Sequence, residues 1–294
     1  MTEVGSVTLR KRLSEGGCLA APGVYDPFSA RIVEQLGFDA VYLGGNALGL
    51  HLGIGQPFVT LTETVAAVHG IRRVSHLLSI IVDAGAGFGD AAHAALAMEA
   101  LSAAGATVIH VDDQVYPKRA HYHSGKGRLA GISVVCGKLR AMAEACGRDG
   151  PLLVARTDAF RVTADIDATI ARCRDYVAAG AAGLMVLDLG PDRMAPFRKE
   201  FPGIPFFWIV GLTQIVPSLE ELGTAGFAVA VYPFNTIGAV HEAVVTTWSG
   251  FTTTGRPAPF LRPATDIVAD ALGTIGLKAA LAIERVTTEP DERE

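Results

Sequence analysis

Eight short apolar runs alternate with helical stretches along this chain, and that alternation restricts the fold more than any other feature. The runs are CLAAPGVY (18–25), FDAVYLGG (38–45), LLSIIVDAG (77–85) and ATVIHVDD (106–113). They continue with PLLVARTDAF (151–160), AGLMVLDLG (182–190), IPFFWIVG (204–211) and GFAVAVYP (226–233). Parallel strands cannot be joined by a tight hairpin and need a crossover, which a helix supplies. The run 77–85 is nearly all apolar before its aspartate, as a strand covered on both faces should be. Eight strand–helix units close naturally into a (β/α)8 TIM barrel, whereas a doubly wound open sheet usually has fewer strands. Helix starts are also marked. Asp26 can cap the stretch DPFSARIVEQLG with Pro27 in its first turn, and Thr62 is a candidate cap for TETVAAVHGIRRVSHL. Proline- or serine-rich linkers are absent, so residues 1–294 read as one barrel domain, with a core over about 15–250. A helical extension follows over about 251–290, long enough to pack on a neighbouring copy.

Composition narrows the function classes. Hydrophobic residues make up 50% of the 294, enough for a large core. The formal net charge of -5 lacks the basic excess of a nucleic-acid binder. The four cysteines, Cys18, Cys136, Cys146 and Cys173, form no C-x-x-C pair and read as reduced thiols in apolar or helical contexts. The start of the chain carries no apolar signal segment, and no apolar run reaches the roughly 18 residues of a membrane span. No membrane association and a cytoplasmic location are expected.

In a barrel of this kind chemistry gathers at the carboxyl ends of the strands, which gives weight to the polar residues there. Tyr42, Gly44, Gly45 and Asn46 end the second run. Adjacent glycines let backbone N–H groups approach an anion, although a simple glycine turn is the alternative. Tyr42 offers a phenol to a substrate hydroxyl, or packs as a core aromatic. Asp83 ends the third run, where a buried carboxylate needs a partner: a divalent cation, or its own turn. Asp112 and Asp113 end the fourth and should point in opposite directions. With Asp83 they can build an oxygen-rich site for Mg²⁺ or Mn²⁺, or one of them pairs with Lys118 or Arg119. Arg156 ends the fifth run and calls for a carboxylate or phosphate partner, with Asp158 placed to position it. The segment YPKRAHYHSGKGR carries Lys118, Arg119, His121, His123, Lys126 and Arg128. It reads as a loop that closes over an anion, with histidines able to move protons near neutral pH; a solvated polar loop is the plainer alternative. Zinc held by the two histidines lacks a third ligand nearby.

Taken together, PGVYDPFSARIVEQLGFDAVYLGG, VDAGAGFGD, HVDDQVYPKRAHYHSGKG and ARTDA resemble the isocitrate lyase/phosphoenolpyruvate mutase superfamily over roughly residues 15 to 245. The resemblance implies a barrel whose eighth helix swaps between subunits, in a homodimer or homotetramer. It also implies chemistry beside a 2-oxo acid enolate, with Mg²⁺ at strand ends. It assigns Tyr42, Gly44 and Gly45 to cradling the pyruvyl part of a substrate, Asp83 and Asp112 to the metal, and Arg156 to the substrate.

The chain also departs from the pattern. The family's Asp-Ala-Asp-Thr-Gly is DAGAG here, so its second aspartate is Gly85. Glu-Asp-Gln is DDQ, with Asp112 at the glutamate place. Leu187 stands where an acidic residue is expected, beside Asp188, and another carboxylate is replaced near Gly55. The loop cysteine that donates a proton in isocitrate and methylisocitrate lyases is Ala120 here, and the phosphoenolpyruvate mutase loop pattern is missing. The expectation is therefore a carbon–carbon lyase for a small 2-hydroxy or 2-oxo dicarboxylate. Substrate would be held by Gly44, Gly45, Asn46, Lys118 and Arg156. Tyr42 would assist at the hydroxyl, His121 or His123 would donate the proton, and a cation would sit at Asp83 and Asp112. An oxaloacetate decarboxylase or hydrolase, a phosphonate mutase-like enzyme and a non-catalytic 2-oxo acid binder are the alternatives.

Overall fold

The computed structural model describes residues 9, 11–119, 127–147, 149–210 and 216–287. Its strands are β1 (Leu19–Pro22), β2 (Ala40–Leu43), β3 (Ser79–Asp83), β4 (Val108–Asp112), β5 (Leu152–Thr157), β6 (Gly183–Val186), β7 (Phe206–Ile209) and β8 (Phe227–Tyr232). All hydrogen-bonded neighbours are parallel, in the order β1-β8-β7-β6-β5-β4-β3-β2. The two ends of that order meet through a parallel bridge between Gly23 and Tyr42, where the Val24 N–H donates to the Tyr42 carbonyl at 2.9 Å. The expected eight-stranded barrel is thus present and nearly closed. Each strand is shorter than its apolar run, because the last residues of the run already turn into the loops.

Strand periodicity sorts the core into two clusters. Ala40, Tyr42, Ile81, Val108, Leu152, Val154, Met185, Phe207, Val229 and Val231 fill the barrel interior. Their strand neighbours, including Val41, Leu43, Ile80, Val82, Ile109, Val111, Leu153 and Ala155, face the surrounding helices. Leu9 and Leu13 join the interior cluster, and Arg12 pairs with Asp39 just before β2, so the N-terminal segment covers the barrel's amino end. The carboxyl end is left for loops.

The helix caps follow elementary chemistry, with two corrections to the sequence reading. Asp26 caps Pro27–Gln35, accepting from the N–H groups of Phe28 and Ser29 at 2.8 and 2.9 Å. The next cap is Thr60, not Thr62. Its hydroxyl accepts from the Glu63 N–H while the Glu63 carboxylate accepts from the Thr60 N–H, a reciprocal box that starts the helix at Leu61. The paired glycines, for which a simple turn was the alternative, instead open a helix over Gly45–His51. Beyond β8 come Asn235–Trp248, the short Phe251–Thr254, then Ala264–Thr274 and Leu277–Thr287 as the extra C-terminal helices. Arg31 holds the third of these through the Thr274 carbonyl at 3.3 Å. Among the described residues, no helix is long and apolar enough to cross a membrane.

Candidate active site at the carboxyl ends of the strands

Interior parity decides which polar residues can meet. Tyr42, Asp83, His110, Asp112 and Arg156 each lie an even number of residues from an interior apolar position on the same strand, so all five turn into the barrel mouth. A cavity of about 570 Å³ opens there, ample for a small metabolite. Tyr42, Gly44, Gly45, Asn46, Asp83 and Arg156 line it, together with Gln56, Arg161 and Leu187. Six of the expected site residues therefore share one cavity.

Asp83 is the most heavily engaged of them. Its Oδ1 accepts from the Gly85 N–H at 2.8 Å, and its Oδ2 from the Gly45 N–H at 3.3 Å and from Gln56 Nε2 at 3.2 Å. The anion that the glycine backbone meets here is thus internal. A Cβ on Gly45 would lie 2.7 Å from Gln56 Nε2, and one on Gly44 would lie 2.7 Å from Tyr42 Cε1, so both glycines are needed by their neighbours' packing. Burial works against charge on Asp83. His110, Lys118, Arg156 and the Gly85 N–H outweigh it and hold the carboxyl well below the usual carboxylate range.

His110 was not singled out from the sequence, yet it sits at the centre. Its Nε2 lies 2.9 Å from the Tyr42 hydroxyl, and its Nδ1 lies 3.9 Å from Asp83 Oδ1 with no hydrogen-bond partner among the described residues. Burial pushes the imidazole down to about 4, against the pull of Asp83, so the ring is neutral at neutral pH. A proton on Nδ1 faces the carboxylate and leaves Nε2 to accept from Tyr42. The signal for His110 was available: it has the parity of Val108 and Asp112.

Asp112 and Asp113 diverge as the strand geometry requires. Asp112 faces the mouth, where its Oδ2 accepts from the Lys118 ammonium and its Oδ1 from the Gln114 N–H at 3.2 Å. Asp113 points outward to Arg172 at 2.8 Å, Tyr176 at 2.9 Å and the Thr157 hydroxyl at 2.5 Å, which ties β4 to the helix Ile166–Ala178. Arg156, beside Asp112 across the β4–β5 pair, donates from Nε to Asp158 Oδ1 at 3.0 Å. Gln114 Nε2 donates to the other Asp158 oxygen. Burial again opposes charge on Asp158, but Arg156 and Lys118 hold its carboxyl low. Gln56, Gln114 and Asp158 thus form a supporting ring around the site.

His121 and His123 lie outside the described residues. What is described of their loop is its base, where the Val115 N–H donates to the Arg128 carbonyl and Gln114 bridges Leu129 in antiparallel fashion. Leu187 and Gly55 do line the cavity, at the places where the resemblance expects acid groups. Asp188 does not replace the missing one. Its backbone turns with φ 64° and its carboxylate pairs with Arg161 at the rim, at 2.5 and 2.7 Å.

These contacts bear on the expected metal. Mg²⁺ asks for six oxygens in near-octahedral array, some from protein and some from water. Asp83 accepts three N–H bonds, and Asp112 holds an ammonium. Among the described residues no three His, Cys, Asp or Glu side chains group as a metal site. The donor set as it stands does not fit a divalent cation.

The family model described as phosphoenolpyruvate phosphomutase matches residues 9–251. A 2,3-dimethylmalate lyase of Eubacterium barkeri is 32% identical over 248 residues, covering 82% of this chain and 84% of the relative. An oxaloacetate decarboxylase of Bradyrhizobium is 33% identical over 241 residues, covering 81% and 82%. In fold the chain is similar to a crystal structure of 2,3-dimethylmalate lyase, with a TM-score of 0.85 at 24% identity over 97% of this chain and 96% of the other.

Proposed function

The chain belongs to the phosphoenolpyruvate mutase/isocitrate lyase superfamily, and on that premise we infer that it is an enzyme that breaks a carbon–carbon bond in a small 2-hydroxy or 2-oxo dicarboxylate. The observation that carries this reading is the convergence of the Tyr42 side chain and the Arg156 guanidinium on one cavity, each held by a buried partner, His110 and Asp158.

Arg156 takes the substrate carboxylate, as a planar guanidinium already oriented by Asp158 is suited to do. That places the adjacent 2-oxygen toward Tyr42. For a 2-hydroxy acid, the hydroxyl proton passes to the Tyr42 oxygen as the Tyr42 proton passes to His110 Nε2. The C2–O bond becomes a carbonyl, the C2–C3 bond breaks, and its electron pair remains on C3, delocalised into the carboxylate there. A proton then reaches C3; His121 or His123 of the loop is assigned that role. Gly44, Gly45 and Asn46 shape the wall beside the substrate, whereas Lys118, paired with Asp112, lines a smaller adjoining pocket that shares Gly45, Gln56 and Asp83 with the cavity. Members of the superfamily typically use a divalent metal, whereas the proton transfers above need only groups of this chain.

A second reading is favoured by the similarity to the oxaloacetate decarboxylase, which is as high as that to the dimethylmalate lyase. There the bond broken releases CO₂. Incubation with a panel of 2-hydroxy and 2-oxo dicarboxylates, with products identified by NMR, separates the two. A 2-oxo acid or aldehyde paired with a second carboxylic acid supports the lyase; CO₂ or oxalate supports decarboxylation or hydrolysis.

A homodimer or homotetramer built on the C-terminal helices completes the proposal. The helix Asn235–Trp248, which should cover the barrel after β8, has no buried residue. Val240, Val244, Val245 and Trp248 on it are exposed, as are Phe260, Leu261 and Ile283 beyond it. An apolar surface of that extent is what a second copy, or an exchanged helix, would cover.

A further inference from the structure

The pair of strand-end carboxylates already has a cation, and it belongs to the chain. Lys118 reaches back from the start of the basic loop and sets its ammonium on Asp112 Oδ2, with side-chain exposures of 5% and 0%. The same ammonium is close enough to Asp83, His110 and Asp158 to act on the charge of each. It lies beside Gly85, where the family pattern has an aspartate. A Cβ built on Gly85 would stand 3.9 Å from Lys118 Nζ, and the backbone there has φ +54°, which disfavours a side chain. An aspartate at 85 would thus project its carboxylate into the space the ammonium fills. Two replacements agree with one another. The acid at 85 is gone and Leu187 stands where the acid after β6 is expected, while the loop lysine at 118 pairs with Asp112 and stands beside Gly85.

We propose that Lys118 is the resident cation of this site, supplying from within the chain the positive charge for which Asp83 and Asp112 would otherwise recruit a divalent metal. The proposal rests on the enzyme reading above for its catalytic consequence, and on geometry alone for its structural content. A buried ammonium close behind the wall of the substrate cavity lowers the cost of negative charge on the substrate oxygen as the hydroxyl proton leaves, and polarises the carbonyl in the reverse direction. It does so as a fixed charge, without the open coordination positions of a metal. Substrates are therefore recognised through one carboxylate on Arg156, with the Lys118 ammonium acting through its field, rather than by chelation of an ion through two oxygens.

The test uses the full-length protein dialysed against EDTA, with Mn²⁺ alone as the probe and free Mn²⁺ read by electron paramagnetic resonance. Wild type takes up no Mn²⁺ at the strand ends at millimolar metal, whereas Lys118→Ala exposes two carboxylates and binds it at least about tenfold more tightly. Lys118→Gln, closer to the lysine in shape, is the companion variant, and circular dichroism verifies that both are folded. Turnover of the EDTA-treated wild type stays within about twofold of the untreated enzyme, and either variant loses about a hundredfold or more. One Mn²⁺ bound tightly by wild type, loss of wild-type turnover in EDTA with return on adding Mg²⁺, or no gain of Mn²⁺ affinity in either variant would each overturn the proposal. If no dicarboxylate turns over at all, the enzyme reading fails. The Mn²⁺ titrations still decide whether Lys118 fills the metal position.

Discussion

Arg156 and Tyr42 illustrate how a residue's role follows from what holds it. Arg156 is buried against Asp158, so its removal both deletes the carboxylate contact and takes from a buried aspartate its hydrogen-bonded cation, leaving Gln114 as its side-chain donor. Arg156→Ala should lower kcat/KM by about a hundredfold or more. It should also cost on the order of 3 kcal/mol of stability, read by thermal unfolding. Tyr42→Phe keeps the packing and removes only the hydroxyl on His110. A drop in kcat of about 10²–10⁴ with little change in KM is expected from steady-state kinetics. His110 makes a prediction about pH. Its folded value of about 4 lies below the ordinary 6.5, so between those values the unfolded chain holds a proton that the folded chain lacks. Stability contributed by this ring is complete above pH 6.5 and is lost as pH falls toward 4, by up to on the order of 3 kcal/mol. Denaturant titrations of His110→Gln should show a flatter slope over that window; an unchanged slope would place the effect elsewhere. At this scale Tyr42, Asp83, Asp112 and Arg156 were legible, because a polar side chain at the end of an apolar run has to be paid for by a partner. His110 was not, because a histidine inside VIHVDD reads as part of the strand until parity is applied.

The β1–β2 seam, where one bridge closes the barrel, is the element most open to test. A Cβ on Gly23 would lie 2.6 Å from the Tyr232 carbonyl oxygen and 2.8 Å from that of Pro233, both backbone atoms that cannot swing away. Gly23→Ala should therefore cost about 1–3 kcal/mol and lower Tm, whereas Gly131→Ala, whose Cβ meets nothing within 4 Å, should not. Most elements could be read from the chain because strand runs and helix caps are local. The helix Gly45–His51 could not, since Gly-Gly-Asn reads as a turn. What makes it a helix is tertiary: the Gly45 N–H donates to Asp83, whose carboxylate also accepts from Gln56, and Gly44 stands in extended conformation ahead of it. Asp188 shows the same limit. Adjacency to Leu187 made it a candidate substitute, and a positive φ with an Arg161 partner turns it away.

At the scale of the whole molecule, eight repeats of one pattern announce a barrel, while self-association is a matter of surfaces that periodicity does not partner. The apolar face of Asn235–Trp248 predicts self-association. Light scattering on the intact chain should give a dimer or tetramer, and Val244→Asp should shift it toward monomer. The site also depends on the whole barrel, since β2, β3, β4 and β5 each send one or more side chains to the same mouth. That convergence is what lets one bond break while the carbon it leaves briefly carries the electron pair. The direct measurement is cleavage of the dicarboxylate panel in D₂O, with products read by ¹H and ²H NMR. The expected products are a 2-oxo acid or aldehyde together with a carboxylic acid bearing one deuteron on the carbon that lost the bond, and neither from Arg156→Ala. Products without that deuteron, or Arg156→Ala turning over like wild type, would contradict it.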